Sequence, residues 1–258
     1  MVGHPRSGTS LLLAYLGAHP LLVPVAESHA FQYAAWLPEG SLASFFAELD
    51  RAVEEQGAAG WVEKTPEHVF ELDAIERALP HADLVHIVRD PVAVLASLQW
   101  ITGLRGGWWA RSRTLRGWAD RWSDAVRRSL ERWNRPGNTF VAYRDLVLYP
   151  DDLLVELCDA LDLDYDARMQ RDRPLVGDGL GRERSGQDAS PAGPRTGDRI
   201  TWHERLSKRL EYVPGGRADE VFDADEVAAI RSWTDPVWMA WKELYQPPRP
   251  VWDPALER

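Results

Sequence analysis

The stretch ADLVHIVRDP, residues 82–91, constrains the fold more than any other part of the chain. Its centre is a nearly unbroken apolar run without polar alternation, the pattern of a strand covered on both faces. Arg89 and Asp90 close the run, and Pro91 opens a helix over VAVLASLQW, since proline is tolerated at the first helical position. A strand that passes directly into a covering helix implies a parallel sheet with helical crossovers, in which functional groups gather at the carboxyl ends of the strands.

The same alternation recurs. Residues 1–3 read as only the end of a strand, because a central parallel strand usually runs about five residues; a loop and a helix from near Thr9 follow. Ser41 is a plausible N-cap for LASFFAELDRAVEEQ, which Gly57 and Gly60 stop. GWVEK predicts a short strand ending at Lys64, and Pro66 a helix through Leu79. Over residues 113–133, Leu115, Trp118, Trp122, Val126, Leu130 and Trp133 recur at helical spacing. NTFVAY predicts a strand, YPDDLLVELCDALDL its helix, and two further helical stretches lie near 201–212 and 223–246. Residues 173–200, rich in Gly, Pro and charge, read as an irregular active-site segment. With no internal repeat, residues 1–258 read as a single domain.

Composition narrows the function classes. A formal charge of −10 argues against a general nucleic-acid binder, yet residues 167–210 hold ten Lys/Arg against six Asp/Glu, which permits a local basic channel. No run approaches the roughly 18 apolar residues of a membrane span, and no basic leader precedes an apolar one; a cytoplasmic protein is expected. Cys158 is the only cysteine and sits at a core position of its helix, so neither an internal disulfide nor a cysteine-based zinc site is available. Seven histidines lack any metal-ligand spacing, and no metal is expected.

The chemistry concentrates in VGHPRSGTS. Gly3 and Gly8 have the spacing of a phosphate loop, but Thr9 stands where the lysine would be and Ser10 holds the Ser/Thr place. The loop and the first helical turn still offer unpaired N–H groups to a phosphate. Arg6 can supply the missing charge, and its planar fork suits two phosphoryl or sulfuryl oxygens. Read alone, the same loop could be a solvated turn in which Thr9 or Ser10 caps a helix. A magnesium site for nucleotide hydrolysis would need Asp90, and Arg89 puts a cation beside it. An adenosine ligand with several phosphate charges and no required metal fits better.

Four blocks, GHPRSGTSLLLAYLGAHP, VEKTP, HIVRDPVAVLASL and YRDLVLYPDDLLVELCDALDLDYD, resemble in order those of sulfotransferases that use 3′-phosphoadenosine 5′-phosphosulfate (PAPS), especially the bacterial branch similar to tyrosylprotein and heparan sulfotransferases. The resemblance covers roughly residues 2–166. It implies an α/β, P-loop-containing three-layer fold with a central parallel sheet flanked by helices. It implies PAPS as donor, adenosine 3′,5′-bisphosphate (PAP) as product, and a small-molecule, glycan or peptide acceptor bearing a hydroxyl. By resemblance, Arg6, Ser7, Gly8, Thr9 and Ser10 form the 5′-phosphosulfate loop, and Arg89 and Ser97 the 3′-phosphate site. Tyr143 lies on a segment near the nucleotide; a core tyrosine at a strand end is the equal alternative. Arg182, Arg184, Arg195 and Arg199 are candidates for a basic group over the cofactor.

Glu27 is the leading base and Lys64 the cation that neutralises the transferring group, again by resemblance. Glu63 is a rival base or a support for Arg6 or Lys64. His19 is a possible alternative base or a structural residue, and His68 a supporting one. Each has an ordinary alternative: Glu27 as the cap of a helix from near Ser28, Lys64 as a solvated strand end, Arg89 as a partner of Asp90. Trp100, Trp108, Trp109, Trp118 and Trp122, with Arg105 and Arg111, could line an acceptor pocket, although tryptophans on a helical stripe are more often core. The alternative functions are a nucleotide kinase or phosphotransferase, and an inactive nucleotide-binding scaffold, which the shortness of the first strand would favour.

Overall fold

Two parallel strand pairs are joined across the middle by the first three residues. The structure is a computed structural model and describes residues 1–36, 38–105, 114–171 and 217–247. β1 (Leu22–Ala26) pairs with β2 (Gly60–Lys64), Leu22 opposite Gly60 and Ala26 opposite Lys64. β3 (Leu84–Val88) pairs with β4 (Asn138–Ala142), Leu84 opposite Asn138 and Val88 opposite Ala142. Between the pairs, Met1 N donates to Glu63 O at 2.7 Å, Val2 N to Val85 O at 2.9 Å, Ile87 N to Val2 O at 3.0 Å and Gly3 N to Pro66 O at 3.3 Å. The spatial order is therefore β1, β2, residues 1–3, β3, β4.

Helices cover both faces. α1 (Thr9–Leu16) leads from residues 1–3 to β1, and α2 (Ser41–Gln56) from β1 to β2. A 3-10 turn (Pro66–Phe70) and α3 (Leu72–Ala78) lead from β2 to β3. α4 (Pro91–Arg105) and α5 (Leu115–Leu130) lead to β4, after which come α6 (Tyr143–Leu148), α7 (Pro150–Ala160) and α8 (Arg168–Arg171). α9 (Ala218–Val221) and α10 (Ala224–Leu244) complete the described chain. Leu12, Leu16, Leu154, Leu157 and Cys158 of α1 and α7 pack with Val85 and Ile87, while Leu95, Leu98, Trp122, Ile230 and Trp241 of α4, α5 and α10 pack with Val88. All five residues of β3 are buried, the consequence of two covered faces. No described helix is long and apolar enough to cross a membrane.

Several elements differ from the sequence reading. β1 was not expected, because Pro24 interrupts it. Glu27 N donates to Lys64 O, so by alternation Pro24 N faces away from β2 and no ladder bond is lost. No helix begins near Ser28; only a 3-10 turn forms at Ala34–Trp36. The expected helix from Pro66 to Leu79 is broken at Glu71, where φ is −116°, since Pro66 O is taken by Gly3 N and Glu71 N closes onto His68 O. Ser41 opens α2 but Gly40, at φ 82°, holds the N-cap position without a side-chain bond. α6, a short helix before α7, was not anticipated. Residues 173–200 and 201–212 lie outside the described residues.

His86 is the polar exception in β3. Ser129 and Asn138 engage its two ring nitrogens at 3.0 and 2.9 Å, and Phe140 stacks on it at 4.7 Å. Burial, reinforced by the nearby charges of the Met1 ammonium and Arg132, pushes its pKa down to about 4 against the hydrogen bond that Nε2 donates to Asn138 Oδ1. The neutral ring is thus the folded form, and the unfolded chain takes up the proton first on acidification. The protein should lose on the order of 3 kcal/mol of stability as pH falls from about 6.5 to about 4. In His86→Gln, chemical denaturation across that interval should show a flatter decline.

Candidate active site

The loop after residues 1–3 is shaped by two left-handed residues, Arg6 at φ 77° and Gly8 at φ 103°. Ser7 N closes a turn onto His4 O at 3.0 Å, and Gly8 O accepts the first bonds of α1 from Leu11 N and Leu12 N. Gly8 is required twice over: a Cβ there would lie 2.3 Å from Tyr143 Cδ2, and the backbone angle disfavours other residues. The first turn of α1 therefore presents its N–H groups at the carboxyl edge of the sheet, where the helix dipole is positive.

Cations converge on this loop. Arg89, at the end of β3, donates through Nη1 to Arg6 O at 3.2 Å, and its guanidinium lies 4.2 Å from the Tyr143 ring centroid. The buried Trp122 donates its Nε1–H to Arg89 O at 3.2 Å, holding that backbone. Arg6 Nε donates to Ser97 Oγ at 3.1 Å, so a residue of the loop and one of α4 are already in contact. The structure thus gathers Arg6, Gly8, Arg89, Ser97 and Tyr143, which lie up to 137 positions apart in sequence, into one place. Asp90 is occupied elsewhere: Oδ1 accepts from Ala93 N at 3.0 Å, capping α4, and Oδ2 pairs with Arg231 at 2.7 Å.

A second cluster sits at the end of β2, beside the Gly3–Pro66 bond that starts the loop. Lys64 is 1 % exposed and its Nζ donates to Glu27 Oε1 at 2.6 Å, while the Glu27 side chain is 52 % exposed. A buried ammonium is tolerated only when paired; here its partner is a carboxylate that still reaches solvent. Glu27 at φ 47° and His29 at φ 54° both take the left-handed conformation, which turns the chain back over β2. Glu27 caps no helix.

Glu63 and Lys64 point to different surroundings, as alternation requires. Glu63 Oε1 accepts from Ser28 N, Ser28 Oγ and Thr65 Oγ1 at 3.2, 2.7 and 2.6 Å, and Oε2 lies 3.2 Å from His68 Nδ1. Phe31 N donates to His68 Nε2, so Nδ1 carries the hydrogen that meets Glu63. Burial alone would raise the Glu63 pKa; the hydrogen bond from His68, the nearby Met1 ammonium and the Thr65 hydroxyl outweigh it and hold the carboxyl at about 2. Glu63 therefore ties the 27–31 turn to the end of β2. His19 lies beyond the far end of α1 from the loop, with Nε2 on Asp164 O at 2.9 Å and Nδ1 accepting from Leu21 N at 3.2 Å.

The sequence reading missed a chain of side chains beside Glu27. His29 Nδ1 donates to Gln32 Oε1, Gln32 Nε2 to Glu67 Oε2 at 2.7 Å, and Arg121 Nη2 to Glu67 Oε1 at 2.8 Å. These residues come from three separate segments, and no motif spacing links them. Of the tryptophans proposed for an acceptor pocket, Trp122 is fully buried in the core, Trp118 packs edge-on against His4 and Trp100 carries Arg217 on its face. Trp108, Trp109, Arg111, the Arg105 side chain, Arg182, Arg184, Arg195 and Arg199 lie outside the described residues. No cluster of three or more His, Cys, Asp or Glu that could hold a metal occurs among the described residues.

A glycine-bearing loop between strand and helix, cationic groups at adjacent strand ends and a parallel sheet covered on both faces define a P-loop-like α/β protein. The chain belongs to the sulfotransferase family, whose model matches residues 26–167, more than half its length. The fold is that of solved sulfotransferase domains. The sulfotransferase domain of the Synechococcus PCC 7002 olefin synthase is similar at a TM-score of 0.59 and 19% identity, covering 95% of this chain and 93% of that one. Sulfotransferase STF9 from Mycobacterium avium is similar at a TM-score of 0.51 and 14% identity, covering 95% and 76%. No curated protein sequence matches the chain significantly.

Two substitutions probe this geometry. Gly8→Ala should destabilise the protein by about 3 kcal/mol, through a strained backbone angle and the clash with Tyr143, read by thermal or chemical unfolding. Glu63→Gln should cost about 2 kcal/mol at neutral pH. Because the folded Glu63 stays ionised to about 2, the wild-type advantage should be complete above pH 4.5 and vanish as pH falls toward 2.

Proposed function

We propose that this protein transfers the sulfuryl group of PAPS to an acceptor hydroxyl, releasing PAP. The single observation that carries the reading is the meeting of Arg6, Ser97 and Arg89 at the N-terminus of α1, cationic and hydroxyl groups placed to anchor a polyanion at two points. Membership of the sulfotransferase family supports the reaction class. The spent valences of Asp90 weigh against a magnesium-dependent kinase.

In this reading the N–H groups of Gly8, Thr9 and Ser10 and the Arg6 guanidinium receive the 5′-phosphosulfate. Arg89, lying on Tyr143, supplies charge to the 3′-phosphate, and Ser97 a directional hydrogen bond. The acceptor oxygen forms its bond to sulfur as the bond from sulfur to the bridging phosphate oxygen breaks, the electron pair leaving with PAP. Lys64 compensates the charge that moves onto the bridging oxygen. The hydroxyl proton passes to Glu27, whose Oε2 is not the oxygen held by Lys64. Glu63, His68 and Thr65 hold the turn that carries Glu27, and His19 supports the far end of α1. Tight placement of both reactants supplies the remaining rate advantage.

Calorimetric titration with PAP and ATP tests the donor assignment. PAP should bind more tightly than ATP without added metal, and Arg6→Ala and Arg89→Ala should each weaken PAP by about 10–100-fold. An ATP preference shared by all three proteins would overturn the nucleotide assignment. In a screen of phenols, sugars and lipid alcohols with PAPS, Glu27→Gln should lower kcat by about two to four orders of magnitude while PAP binding is retained. Normal turnover in that variant would remove Glu27 from the chemistry.

A further inference from the structure

The carboxylate that follows Arg89 in the chain is met by a cation from α10. Asp90 Oδ1 accepts from Ala93 N at 3.0 Å, which fixes the side chain at the start of α4, and Oδ2 lies 2.7 Å from Arg231 Nη1. Asp90 therefore pairs with Arg231 rather than with its neighbour Arg89. The Asp90 side chain is only 15% exposed, so its charge, left unpaired, would be incompletely screened by water. α10 is held firmly at this level: Ile230 and Thr234 are fully buried, and Ile230 lies in one core cluster with Val92 and Leu95 of α4. The helix carries four carboxylates, Asp225, Glu226, Asp235 and Glu243, and only two cations, Arg231 and Lys242. One of the two is set on Asp90.

Resting on the sulfuryl-transfer reading, we propose that Arg231 is a positioning residue for the donor: it acts through Asp90, neutralising and orienting that carboxylate so that the strand end bearing Arg89 attracts the 3′-phosphate. The first argument is charge. A phosphate monoester carries nearly two negative charges at neutral pH. Adjacent Cα atoms are about 3.8 Å apart, so a bare Asp90 would stand well within a Debye length of about 8 Å from Arg89 and oppose whatever anion Arg89 receives. Arg89 and Asp90 together are neutral. Arg231 gives the group a net positive charge. The second argument is geometry. Asp90 joins the end of β3 to the first turn of α4, the helix that carries Ser97. On the other side of Arg89, Trp122 holds its carbonyl, and Trp238 of α10 lies edge-on to Trp122 at 6.1 Å. α10 thus supports Arg89 by two routes. The 5′ end of the donor meets α1 and its loop instead, so the effect of Arg231 falls on the 3′-phosphate.

The test compares PAP with adenosine 5′-phosphate, which lacks the 3′-phosphate, on the full chain: PAP by calorimetric titration, the second nucleotide by competition against it. Arg231→Met keeps the aliphatic stem and removes the charge. It should weaken PAP by about 3–10-fold and adenosine 5′-phosphate by less than about twofold. Adding Asp90→Asn removes the unpaired charge yet keeps an oxygen for Ala93 N, and the double variant should bind PAP within about twofold of wild type. Wild-type PAP affinity in Arg231→Met, an equal loss for both nucleotides, or a double variant no better than Arg231→Met would each overturn the assignment. Failure of the wild-type protein to bind either nucleotide would instead strike the sulfuryl-transfer reading on which it rests.

Discussion

The backbone bridge made by residues 1–3 governs the rest of the molecule. These residues bond to Glu63 of β2, to Pro66 just beyond it, and to Val85 and Ile87 of β3. The strand ends carrying Lys64 and Arg89 are thereby set on either side of the loop that begins at His4. The bridge also breaks the segment after Lys64, because Gly3 N takes the Pro66 carbonyl and a continuous helix cannot form there. What is lost in helical regularity is recovered in position: Glu67 and His68 face back toward the site.

Around that bridge the charges are arranged by contrast. Lys64 is buried against a carboxylate that reaches water, and Glu63, its neighbour in sequence, is buried against neutral donors and His68. A strand's alternation sends adjacent side chains to opposite sides, so one pair of adjacent residues serves two purposes. One offers a cation to Glu27, and the other fastens the turn that brings Glu27 to it. Arg89 follows the same logic at the neighbouring strand end, where Tyr143 and the Trp122 hydrogen bond hold it in place.

Much of this was legible in the residues. The apolar run of β3, the proline that opens α4, the phosphate-loop glycines and the stripe of α5 all express local rules, and the elements formed close to where those rules put them. Gly8 was legible as well, although the clash with Tyr143 that makes it obligatory was not. β1 was hidden by Pro24, whose tolerance depends on which side of the strand its nitrogen faces. The tryptophans were legible in part: a helical stripe reads as core more often than as a pocket, as Trp122 proves, but only the fold shows that α10, far along the chain, is what covers it.

By itself the sequence determined that this is a parallel α/β protein whose first loop has the glycine spacing of a phosphate loop without its lysine, because those traits follow from periodicity, turn chemistry and charge over a few residues. Only the tertiary structure decided which charges meet. Arg6 with Ser97, Lys64 with Glu27, and Glu67 with both Gln32 and Arg121 are contacts between distant segments. The order of the strands and the left-handed turns at Glu27 and His29 create them. Chain closure over such separations leaves no local trace in composition or spacing, so the pairing of these groups could be read only after the fold had brought them together.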